Sequence, residues 1–149
     1  PTNQPAYRDA RILVTDSDFG CGSSREGAAF AVMDFGLKAL IGPSFAEIFQ
    51  GNCIQNGIPA ITLPEPVVHD LWRQLRARPG SEITIDLPGQ RVIAPDGAAH
   101  SFDISPLRKD RLMRGIDDID VTLEYRSAIE AFEAKRRAEM PWLPTATRE

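Results

Sequence analysis

The sequence predicts an α/β fold in which a mixed sheet is flanked by helices. Three observations predict it: short apolar runs alternating with helix-length amphipathic stretches over residues 12–78, brief connections between them, and a change to period-two alternation after residue 80. Strand and helix in alternation favour parallel strands with covering helices, while the later runs favour an antiparallel meander. A parallel front half with a meander behind it makes a mixed barrel or sandwich, not a purely doubly wound sheet.

Ile12-Leu13-Val14 reads as a short buried strand entering the polar loop Thr15-Asp16-Ser17-Asp18. A helix over 24–36 follows, with Ala28 to Met33 as its apolar body and Gly36 as the C′ residue, and then a strand over 38–42. Pro43-Ser44 opens the next helix with Ser44 as cap, and Phe45, Ile48, Phe49, Asn52 and Cys53 share one face at i, i+3, i+4, i+7 and i+8. Asn52 is the polar member of that stripe and reads as a structural brace; Cys53 reads as a small core residue. Asn56-Gly57 ends the helix, 59–63 is a third strand, and Pro64 to Arg78 is a third helix with Val68, Leu71, Trp72 and Leu75 inward and His69 at its boundary.

Residues 82–87, 90–94 and 100–104 form the meander, turning at Pro88-Gly89 and Asp96-Gly97, with His100 expected to face solvent. Ser105-Pro106 starts a charged helix that runs to Arg114 and closes at Gly115. Residues 116–137 read as one or two amphipathic helices with Ile119, Leu123, Ile129 and Phe132 as apolar contacts, and Lys135-Arg136-Arg137 as a solvated C-terminus favoured by the macrodipole. Residues 138–149 read as an extended tail in which Trp142 packs or meets a partner.

At 149 residues the chain is read as one domain, 1–149, large enough to bury roughly 68% of its unfolded surface. Pro1-Thr2-Asn3-Gln4-Pro5 fits neither a signal peptide nor a translation start, so a missing N-terminal segment is expected. Two cysteines, Cys21 and Cys53, supply neither a disulfide framework nor a four-thiolate metal site, which favours a reducing, cytoplasmic setting and no metal in this chain. With 17 basic against 21 acidic residues and a net charge of −4, nucleic acid and anionic membranes are poor partners.

Phe19-Gly20-Cys21-Gly22-Ser23-Ser24-Arg25-Glu26 carries the chemistry. It places two hydroxyls and a guanidinium at a helix start, behind glycines that let the backbone approach a ligand closely, as a cradle for a small carboxylate would. The same residues also read as a capping box, Ser23 bonding the N3 amide and Glu26 reaching back. Gly-Cys-Gly and Arg25 are unnecessary for a cap, which favours the cradle.

That motif, together with Pro43-Ser44-Phe45-Ala46-Glu47-Ile48-Phe49, Asn52, Asn56-Gly57, Gly115-Ile116-Asp117-Asp118-Ile119 and Pro141-Trp142, resembles the small subunits of 3-isopropylmalate dehydratase, the swivelling domains of the aconitase superfamily. The resemblance spans nearly the whole chain and implies a swivelling β/β/α barrel-like domain. It implies a hydro-lyase that interconverts 2- and 3-isopropylmalate through an alkene in leucine biosynthesis. Ser23 would be the base, Ser24 and Arg25 would hold a substrate carboxylate, and Gly22 and Cys21 would line the same site. The partner would be a large subunit, in a heterodimer, carrying a [4Fe-4S] cluster.

Magnitudes agree with a shared site. A free alcohol is about as weak an acid as water (~15.7), and a helix N-terminus contributes at most ~2 kcal/mol, so Ser23 needs help from outside this chain. Two departures stand out: Gly27 occupies a position where many relatives carry histidine, and the Asp-Thr-Asp type segment that usually precedes the motif is absent. Other readings are a small subunit acting on citraconate, methylitaconate or aconitate, a non-catalytic anion-binding module, and a Cys21 nucleophile with His69 or His100 as base. The last lacks a supporting pattern around either histidine.

Overall fold

The computed structural model describes residues 7–22, 25–115 and 118–142, the side chains of 118, 120 and 121 excluded. Two compact units divide after Gly115. The first contains β1 (Ile12–Val14), α1 (Gly27–Asp34), β2 (Ala39–Gly42), α2 (Glu47–Gln55), β3 (Ala60–Thr62), α3 (Glu65–Ala77), β4 (Thr84–Asp86), β5 (Arg91–Ile93), β6 (Ala99–Ser101) and α4 (Pro106–Arg114). β1, β2 and β3 pair parallel in that order, Leu13 opposite Leu40 and Leu40 opposite Ala60; β4, β5 and β6 pair antiparallel. The expected parallel and antiparallel parts are therefore both present, on two three-stranded sheets.

The parallel sheet divides the core, because alternate strand residues point to opposite faces. Leu13, Leu40 and Ala60 face one cluster with Ala29, Val32, Leu37, Phe49, Cys53 and Ile58. Ile12, Val14, Ile41 and Ile61 face the other, against Val68 and Leu71 of α3 and Val92 and Phe102 of the meander side. Trp72 Nε1 donates to the Val14 carbonyl at 3.2 Å, and Gln74 Nε2 donates to Asp96 Oδ2 at 2.9 Å, so α3 is tied to both sheets. His69 is at the surface, stacked on Trp72 with ring centroids 5.3 Å apart, and His100 is half-buried in the middle of β6.

The helix ends follow the glycines. After α1, Gly36 (φ +85°) donates its N–H to the Met33 carbonyl and Leu37 to Val32; after α2, Gly57 (φ +76°) donates to Ile54 and Ile58 to Cys53. Both are Schellman closures, completed by buried apolar residues at Leu37 and Ile58. The helix starts differ from expectation. α1 begins at Gly27 with Glu26 at the N-cap and no side-chain cap bond, three residues later than the expected start at 24; Ser23 of the expected capping box is outside the described residues. α2 begins at Glu47 behind Ala46, so Ser44 is no cap and Phe45 is outside the helix. The stripe counted from Phe45 holds at Phe49 and Cys53, which are buried, with Phe45 packed against the same cluster; Ile54 joins them, whereas Ile48 is 57% exposed. In α4 the expectation holds, with Ser105 Oγ accepting from the Arg108 N–H at 3.3 Å and Gly115 left-handed at φ +64°.

The second unit contains α5 (Asp118–Leu123) and α6 (Arg126–Glu139). On α6, Arg126 with Glu130, Arg137 with Glu133 and Lys135 with Glu139 form i,i+4 pairs. Ile119, Leu123, Ile129 and Phe132 are exposed, contrary to the expected contacts. Of the expected tail, Ala138 and Glu139 belong to α6, Trp142 is 74% exposed, and 143–149 are outside the described residues.

Candidate active site

The motif occupies the loop between β1 and α1, at the carboxyl end of a parallel strand, where open α/β sheets bind ligands. Its approach is built by close packing. Gly20 turns at φ +90°, and a Cβ there would overlap the Phe49 ring of α2. Phe19 meets the same ring edge-on with centroids 5.6 Å apart, forms a parallel bridge with Phe45, and its carbonyl accepts the Ala46 N–H at 3.0 Å. Gly42, at the end of β2, leaves room for Thr15 Oγ1 and the Phe45 ring, both of which a Cβ would meet. Thr15, the buried polar residue beside this loop, donates its N–H to the Ile41 carbonyl at 2.7 Å.

Asp18 has a left-handed backbone at φ +56°, and Ser44 closes on it from the β2–α2 loop. Ser44 Oγ accepts the Asp18 N–H at 2.7 Å and donates to Asp18 Oδ1 at 2.9 Å. Beyond Asp18 the chain turns tightly, Cys21 N–H donating to the Asp18 carbonyl at 3.2 Å, and Gly22 follows at φ +87° with open space around its Cα. Asp18 and Ser44 are missed by a residue-by-residue reading: they are 26 positions apart, and Ser44 looks like a helix cap.

Of the site residues named from the sequence, Cys21, Gly22 and Arg25 are all exposed. Ser23 and Ser24 are outside the described residues. Asn52 of α2 is half-buried, and its carbonyl accepts the Asn56 side-chain amide at 2.9 Å.

The donors do not suit an iron–sulfur cluster in this chain. Among the described residues no three His, Cys, Asp or Glu side chains converge on a common point. Cys53 is fully buried in the α1–α2 cluster, and burial pushes its thiol up to about 11, against the thiolate a metal requires. Cys21 is exposed and on a different element.

Residues 1–66 match the Aconitase C-terminal domain family, 69–106 the LeuD_N family, and 118–146 the family of C-terminal domains of the 3-isopropylmalate dehydratase small subunit. The chain is 49% identical over 141 residues to the 3-isopropylmalate dehydratase small subunit of Dechloromonas aromatica, covering 95% of this chain and 66% of that protein. It is 47% identical over 140 residues to the 3-isopropylmalate dehydratase small subunit of Rhodospirillum centenum, covering 94% and 69%. The solved structure of 3-isopropylmalate dehydratase (leuD) from Methanocaldococcus jannaschii matches with a TM-score of 0.58 at 28% identity, over 82% of this chain and 68% of that one. The chain thus spans about two thirds of the length of the curated relatives it matches.

Proposed function

The chain belongs to the family of 3-isopropylmalate dehydratase small subunits, and from that premise we propose that it is half of a hydro-lyase active site in leucine biosynthesis, completed by a large subunit in a cytoplasmic heterodimer. The substrates are 2- and 3-isopropylmalate. Ser23, as alkoxide, takes the proton from carbon; the C–H electron pair becomes the second bond of the alkene as the neighbouring hydroxyl departs, and rehydration at the other carbon returns the proton. Ser24 and Arg25 hold a carboxylate, the planar guanidinium forking onto both oxygens, with Gly22 and Cys21 beside them. Help for the departing hydroxyl is assigned to a [4Fe-4S] cluster on the large subunit.

The observation that carries this reading is the exposure of Cys21, Gly22 and Arg25 on a loop whose approach is firmly packed: a held loop with an open outer side suits a surface that another chain completes. The test mixes the purified chain with a cluster-loaded large subunit and 2-isopropylmalate, and follows alkene absorbance. The chain alone should be inactive and the pair active. Ser23→Ala should assemble yet lose ~10²-fold or more in kcat, and Arg25→Lys should chiefly raise KM. Turnover by the chain alone, or near-normal turnover with Ser23→Ala, would sink the reading. Running citraconate, methylitaconate and aconitate beside isopropylmalate identifies the substrate side chain, which Gly27 leaves open.

A further inference from the structure

We infer that Asp18 and Ser44 are a positioning pair for the proposed reaction, holding the Gly20–Gly22 turn from which the chain enters the Ser23-Ser24-Arg25 run. The inference rests on the reading of Ser23 as the base. Its own ground is geometric. Asp18 is one of two non-glycine residues with positive φ among the described residues, a conformation that costs energy for an L residue and persists only where neighbours enforce it.

The enforcing neighbour is Ser44. One hydroxyl grips Asp18 twice, accepting from its N–H at 2.7 Å and donating to its carboxylate at 2.9 Å, which uses the single O–H and one lone pair. The Asp18 carbonyl is thereby aimed at the Cys21 N–H, which it accepts at 3.2 Å, and this bond closes the turn that leads to Ser23. The Phe19–Phe45 bridge and the Gly20–Phe49 contact fix the loop's packed side; the pair fixes its outer side. Ser44 is therefore placed to act on the reaction through the loop without touching substrate. Because near-attack geometry is steep in distance, a loosened turn should lower kcat before it alters substrate affinity.

The experiment uses the chain reconstituted with the cluster-loaded large subunit, and amide exchange on the chain itself. In Ser44→Ala, exchange at Asp18 and Cys21 should quicken about 10-fold or more, while Leu40, bonded to the Pro59 carbonyl inside the sheet, is unchanged. The same variant should lose about 10-fold or more in kcat with KM within twofold. Asp18→Asn, which tolerates the left-handed backbone and keeps an acceptor for Ser44, should retain both properties. Unchanged exchange in Ser44→Ala, full kcat in Ser44→Ala, or an Asp18→Asn enzyme as poor as Ser44→Ala would each overturn the pair. Failure of the underlying reading shows elsewhere, as turnover surviving Ser23→Ala, and the exchange measurement still decides whether the pair orders the turn.

Discussion

The two ends of the parallel layer are built on different principles. At the end where helices finish and strands begin, α1 and α2 each stop in a Schellman closure whose apolar residue, Leu37 or Ile58, is buried in the core. At the other end, where strands finish, α1, α2 and α3 start behind Glu26, Ala46 and Pro64 with no side-chain cap bond, and the loops are held by contacts between elements: Asp18 with Ser44, Phe19 with Phe45, Gly20 against Phe49. α4, outside this layer, has a regular serine cap. Local closure stabilises, whereas closure between distant loops aims side chains. The lesson is a division of labour: one end carries stability, and the end bearing the motif gives up local capping for placement.

Gly20→Ala should break that division most severely, because it strikes both. A Cβ at φ +90° is strained, and here it also overlaps the Phe49 ring of the core. Adding roughly 1–2 kcal/mol for the left-handed backbone to roughly 1–3 kcal/mol for overpacking gives a loss of roughly 2–5 kcal/mol, together with loss of turnover in the reconstituted enzyme. Urea denaturation and kcat check the two effects separately. A variant with unchanged stability would mean that the loop does not rest on Phe49.

Cys53 tests the stabilising end by pH. Burial holds its thiol at about 11 against an ordinary 9.0, so the folded state favours the neutral form. That contribution is complete below pH 9 and is lost as pH rises toward 11, about 3 kcal/mol across the window. Urea midpoints from pH 8 to 11 should fall more steeply for the natural chain than for Cys53→Ala. Parallel profiles would show that another group titrates.

Much of the fold is legible in the sequence because its signals are local. Gly36, Asn56-Gly57 and Gly115 stop helices wherever they occur, Ser105-Pro106 starts one, and alternation after residue 80 marks the meander. The motif's position after a strand is legible for the same reason. Ser44 is not, since Ser-x-x-Glu at 44–47 has the pattern of a helix start while the hydroxyl is taken by Asp18, 26 residues away. The stripe of α2 is legible at Phe49 and Cys53, whereas Ile48 is exposed and Ile54 is buried in addition, because Phe45 bridges Phe19 outside the helix and does not begin its periodicity. For Ile119, Leu123, Ile129 and Phe132 the spacing shows an apolar face but not what covers it.

The smallest effect sharpens the comparison most, because it isolates one end. Gly57 has φ +76°, and a Cβ added there would meet nothing within 4 Å, so Gly57→Ala adds backbone strain with no steric overlap. A loss of roughly 1–2 kcal/mol follows from the left-handed backbone alone. Asn should recover part of it, since its side chain tolerates that region. The motif is at the opposite end of the strands, so kcat and KM of the reconstituted enzyme should stay within twofold of the natural chain. A marked fall in kcat at unchanged stability would join the two ends into one cooperative device and remove the division of labour between them.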